Sequence, residues 1–79
     1  MKPIALICNR FQEGFDYFSR NEIDKVIQSQ GRIYLKNGKE IVIVTTIEHA
    51  RGVEFSGWLI VPNYEGTSRL LDEVVNRIR

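Results

Sequence analysis

Cys8 and His49 are the only cysteine and the only histidine of the chain, and a thiol beside an imidazole is the simplest pairing of nucleophile and base that side chains provide. Both residues follow apolar runs, which would bring them to one edge of a sheet. No third group to orient the imidazole is evident, however, and a cysteine closing an apolar strand ordinarily behaves as a small hydrophobe. A zinc site would need about four ligands, which one Cys and one His do not supply. Asp72 and Glu73 are adjacent on a helical pattern and diverge, so they do not form a paired acid and base. The residues therefore predict no catalytic group, no metal and no cofactor.

A binding constellation is better supported. In open sheets, ligands collect beyond the carboxyl ends of parallel strands. If the three most apolar runs are parallel, one edge gathers Asn9 and Arg10 after the first, His49 and Arg51 after the third, and Asn63 and Tyr64 after the last. Arg10 and Arg51 have the forked geometry that suits a phosphate or carboxylate, while the other groups add hydrogen bonds or stacking. The plain alternative is that these are solvated loop residues.

Elements must exist to position those groups. Ile4 to Cys8 is apolar at consecutive positions, the pattern of a strand covered on both faces. Asn9 and Gln12 have capping-box spacing, predicting a helix with Phe11, Phe15, Phe18, Ile23, Val26 and Ile27 on its apolar face, stopped by Gly31. A second box, Ser19 to Glu22, allows two shorter helices in that span. Arg32 to Lys36 alternates, Asn37-Gly38 marks a two-residue hairpin turn, and Glu40 to Val44 resumes as an apolar strand. The alternating strand is expected at an edge, where Arg32, Lys36 and Lys39 guard against aggregation.

Thr45 and Glu48 predict a short helix through His49, ended near Gly52. Phe55 to Val61 reads as the last strand, with Trp58 in the core and Pro62-Asn63 as its stop. From Thr67 or Ser68, the residues Leu70, Leu71, Val74, Val75 and Ile78 mark a helical face, and Glu73 precedes Arg77 by a favourable four. Glu65 before this helix and Arg77 and Arg79 at its end suit its dipole. The expected fold is a single α/β domain over residues 1–79, β-α-β-β-short α-β-α, with about four strands in the order one-four-three-two. Two substantial helices are few for three two-faced strands, so either one helix covers each face or apolar surface remains for a partner.

Composition sets the outer limits. At 79 residues, 43% hydrophobic and 27% charged, the chain has room for one core. A net charge of +1 provides no global field to attract nucleic acid or an anionic membrane. Tyr17, Tyr34, Tyr64 and Trp58 with scattered cations give only a thin single-strand-binding signal. One cysteine forms no intrachain disulfide, which fits a reducing cytoplasm, and the apolar run after Lys2-Pro3 is too short for a signal peptide or a membrane span.

From Gly31 to Val61, the strand, Asn-Gly hairpin, apolar strand, short helix ending Arg51-Gly52 and second apolar strand resemble part of the ATPase core of phage large terminases. Strand one and the helix after it would then stand where that family keeps its Walker A strand and loop. The sequence after strand one is Asn9-Arg10-Phe11-Gln12-Glu13-Gly14, which lacks the Gly-Lys-Ser/Thr of a phosphate-cradling loop. Pro62-Asn63 stands where the Walker B acids would follow the apolar strand. The resemblance implies a phage-type, degenerate P-loop-like core kept for binding, in which case the cytoplasm would be that of the host. The expected function is a non-catalytic interaction protein that binds and modulates or inhibits a protein partner, a second copy of the chain included. The alternative is a nucleotide or nucleic-acid binder acting through Asn9, Arg10, His49, Arg51, Asn63 and Tyr64. No membrane partner is expected.

Overall fold

The apolar run behind Pro3 becomes β1 (Ile4–Ile7), which the fold places inside the sheet with a parallel neighbour on each side. The computed structural model describes residues 2–78; Met1 and Arg79 lie outside the described residues, and with Arg79 lies its expected part in the last helix dipole. After β1 come α1 (Phe11–Tyr17), β2 (Ile23–Ile27), a single 3-10 turn (Gln28–Gln30), β3 (Arg32–Leu35) and β4 (Glu40–Val44). α2 (Ile47–Ala50), β5 (Gly57–Ile60) and α3 (Ser68–Val75) complete the α/β fold. The five strands are ordered β2-β3-β4-β1-β5, with β1, β4 and β5 parallel and β3 antiparallel to both of its neighbours.

Three expectations about the identity and order of the strands are corrected. Ile23–Ile27 is a strand and not the second half of a helix. β-branched Ile23, Val26 and Ile27 favour extended backbone, and the turn before them is closed by Ser19, whose N–H and hydroxyl both donate to the Glu22 carboxylate. β2 pairs with β3 and moves the sheet edge outward, so the alternating strand Arg32–Leu35 is interior. The strand order also differs, because β5 joins the free side of β1 instead of separating β1 from β4.

The hairpin between β3 and β4 turns at Asn37-Gly38, with one residue more than expected. Gly38 N–H donates to the Leu35 carbonyl at 3.0 Å and Leu35 N–H to the Lys39 carbonyl at 2.9 Å. Gly38 takes a φ of 90°, the mark of a turn followed by a glycine bulge.

Alternation assigns the buried strand residues to one of two cores. Ala5, Ile7, Val42 and Val44 face α2 and α3, where Ala50, Phe55, Leu70 and Val74 close over them. Leu6, Cys8, Ile33, Leu35, Ile41, Ile43 and Val61 face the other way, under Phe15 and Phe18 from α1 and the segment after it. α1 approaches closely because Gly14 has no side chain, and a methyl built there would lie 2.7 Å from Ile43 Cδ1. Glu73 and Arg77 pair at 3.1 Å across one turn at the end of α3. Trp58 is the remaining departure, since it lies 41% exposed on an edge strand and not in the core.

Gly14→Ala separates helix propensity from packing. Alanine favours the helix by about 1 kcal/mol, but overpacking against buried Ile43 costs about 1–3 kcal/mol. Urea denaturation is expected to show a net loss of stability, and a gain would contradict the close approach of α1.

Candidate functional site at the strand ends

The carboxyl ends of β1, β4 and β5 meet at one edge, and their connections leave on opposite faces: α1 follows β1 onto one, α2 follows β4 onto the other. Such a divergence opens the crevice in which α/β sheets ordinarily bind ligands. In this chain the polar groups at the crevice bond to one another.

Glu13 is the organising residue. One carboxylate oxygen accepts the N–H of Asn9 at 2.9 Å and that of Arg10 at 3.0 Å. The other accepts the side-chain amides of Asn63 at 3.1 Å and Asn9 at 3.4 Å. Asn9 in turn donates to the Asn63 carbonyl at 3.1 Å and accepts the Glu65 N–H at 2.8 Å, so the ends of β1 and β5 are tied together. The helix starts one residue later than the sequence spacing predicts, with Arg10 as its N-cap, and only the Glu13 half of a capping box is present: the carboxylate, unlike the Gln12 amide, brings a charge to two amide donors at the start of α1. Partial desolvation acts to raise the Glu13 pKa, but the bonds from Arg10, Asn63 and Asn9 outweigh it and hold the carboxyl below its ordinary value.

The end of β4 is closed in a similar way. His49 Nδ1 accepts the N–H groups of Thr45 and Thr46 at 3.2 and 3.3 Å, which makes Nδ1 the unprotonated nitrogen and His49 the third residue of an α2 capping box begun by Thr46. Its ring lies 4.7 Å from that of Phe11, between the starts of α1 and α2. Phe11 also lies over Gly31, whose φ of 62° turns the chain into β3.

Of the six residues singled out from sequence, Asn9, Arg10 and Asn63 thus converge on Glu13. They line a hollow of about 260 Å³ with Glu65. Tyr64 stands beside this group but turns its hydroxyl to the Thr67 carbonyl at 3.3 Å. His49 belongs to the neighbouring cap, and Arg51 is an exposed residue at the end of α2 with no side-chain bond that joins it to the others. Glu13 is the residue that sequence reading missed; its signal was the spacing of three from Arg10, obscured by the equally spaced pair Asn9 and Gln12.

The thiol and imidazole remain apart in role. Cys8 is fully buried in the α1-facing core, where its Sγ lies 3.9 Å from the Leu6 carbonyl. Burial, reinforced by the negative charge of Glu13, pushes the Cys8 thiol up to about 11, so it carries no thiolate at neutral pH. Burial, with Cys8 as a smaller cause, also raises the Tyr64 phenol above its ordinary value. No group of three His, Cys, Asp or Glu residues converges on a metal-sized site among the described residues.

Comparison with protein-family models, with curated proteins and with solved structures finds no match to the chain.

Two expectations follow. A carboxyl held below its unfolded value of about 4.5 contributes stability that is fully present above that pH and is lost as pH falls through the folded value. Glu13→Gln should therefore unfold at lower urea than wild type at neutral pH, with the difference disappearing in acid; a difference that persists in acid would place the loss elsewhere. Cys8 should react with a thiol reagent at neutral pH only at the rate of unfolding, and immediate labelling of the native protein would contradict its burial.

Proposed function

We propose that the protein is a non-catalytic interaction module that binds and modulates a protein partner through the margin of the sheet formed by β5. The observation that carries this reading is the contrast between the two sheet edges. β2 bears Asp24 and Lys25, and its register with β3 shifts between Ile23 and Lys25. Charge and irregularity are the devices by which edge strands resist pairing with another chain.

β5 has neither. Its sequence is Gly-Trp-Leu-Ile, its register with β1 is regular over all four residues, and Trp58 is exposed. Only the approach to β5 is covered, by the C-terminal segment, where the Phe55 N–H donates to the Arg77 carbonyl at 2.9 Å and Phe55 bridges to Ile78. α3 packs beside β5 and adds the exposed Val75. A four-residue edge is short, and a stable interface of about 800 Å² per partner needs this flanking surface as well. Trp is the side chain that most often dominates such contacts.

The strand-end constellation supports the same reading from the other direction. The amides that would hold an anion after β1 are committed to Glu13, and the adjoining hollow contains two carboxylates and one guanidinium. On this proposal the terminase-like run of elements is a scaffold without phosphate chemistry.

The test is a matched capture experiment with Trp58→Lys on one edge and Val26→Lys on the other. A partner held by wild type should be retained by Val26→Lys and bind at least about ten-fold more weakly to Trp58→Lys, the loss expected of a central tryptophan. Equal retention by both variants would overturn the assignment to β5.

A further inference from the structure

Gly57 is a glycine that the fold itself does not require. It sits at the first position of β5 with no left-handed φ, and a methyl built on it meets no atom within 4 Å. The contrast with Gly14, Gly31 and Gly38 is plain, since each of those answers to a close contact or a positive φ. Glycine within a strand gives up about 0.5–1 kcal/mol relative to alanine, and where the chain does not demand it, it often marks the close approach of something else.

What lies above Gly57 is a hollow of about 320 Å³ at the amino end of the strands, opposite the strand-end network. Gly57 pairs with Ile4, and both lie on the sheet face that carries Leu59. Ile4 and Leu59 are partly exposed there and give the hollow an apolar floor beside the glycine. Lys2 and Lys39 stand at its rim. Lys39 has no ion pair among the described residues, and Lys2 makes only a 3.7 Å contact with Glu54, both side chains being well exposed. The volume is at the lower end of small-ligand pockets, about 300–1,000 Å³, which is more than a lone ion requires.

We propose that this hollow binds a small organic carboxylate whose apolar body lies over Ile4, Gly57 and Leu59 and whose anionic head meets Lys39 and Lys2. Two cations above an apolar floor are complementary to that amphipathic anion and to neither a cation nor a neutral polar solute. The site adjoins the proposed partner surface and shares Trp58 with it, but the inference does not rest on that reading, since its carboxylate would meet Lys39 and Lys2 over Ile4, Gly57 and Leu59 and not the hydrogen-bonding edge of β5.

The experiment is an amide-resolved NMR titration with octanoate, with octanol as the uncharged comparison and the fluorescence of Trp58, which also lines the hollow, as a second readout. Saturable shifts centred on Ile4, Gly57, Leu59 and Lys39 are expected, with octanol binding more weakly. Lys39→Gln should weaken octanoate by about three-fold, as expected for one exposed charge contact. Gly57→Val should abolish binding while leaving the melting temperature unchanged or raised, and Gly57→Ala should weaken it, so loss of binding is distinguished from loss of fold. The proposal is overturned if octanoate produces no saturable shift, if the shifts map instead to the second apolar hollow, lined by Phe15, Phe18, Ile23 and Val26 between α1 and β2, if octanol binds equally, or if Gly57→Val binds as wild type does. Failure of these arms leaves the Trp58→Lys capture result unaffected, so the two readings fail separately.

Discussion

The parallel pairing of β1 with β4 on one side and β5 on the other is the constraint on which the rest of the molecule depends. β1 has no free edge, and Ala5, Leu6 and Ile7 have no exposed surface on either face. A strand in that position needs both of its faces covered. The chain meets the requirement with elements of minimal size: seven residues of α1 on one face, and four of α2 with eight of α3 on the other. Gly14 lets the shorter cover sit close enough, and Val74 and Leu70 complete the opposite core.

Short helices leave little length for regular capping, and side chains do that work at both crevice positions. Glu13 satisfies the amides that open α1 and extends its bonds to Asn63 after β5, while His49 satisfies those that open α2 and packs against Phe11. The two caps hold the ends of all three parallel strands in register. Their consequence for function is that the polar groups at the edge where an α/β sheet commonly receives a ligand are bonded to one another, and the less committed surface lies along β5 and at the amino ends of the strands.

Much of the fold is legible in the sequence because its strongest signals are local. The apolar run that contains β1, the Asn37-Gly38 turn and the amphipathic period from Leu70 to Val74 each report on their own element, whereas Ile78, expected on the same helical face, lies beyond α3 and bridges to Phe55. The errors arise where a distant partner decides. Ile23, Val26 and Ile27 fit a helical face as well as a strand, and pairing with the otherwise open side of β3 reinforces their β-branched preference for the strand. Trp58 has the composition of a core residue, and its exposure follows from β5 taking an edge, which nothing in the sequence of β5 states. The strand-end constellation was legible as a location, since Asn9, Arg10 and Asn63 do converge, but not in its chemistry, because that depends on the Glu13 carboxylate reaching a residue 50 positions away.

The amides at the strand ends are committed to Glu13, and the binding we propose lies on the β5 side of the sheet. The most direct test of that commitment is an amide-resolved NMR titration with magnesium-ATP and then with a short mixed-sequence DNA, following Asn9, Arg10, His49, Arg51, Asn63, Tyr64 and Glu65. These amides should stay where they are; saturable shifts confined to them would show instead that the network around Glu13 opens for a ligand.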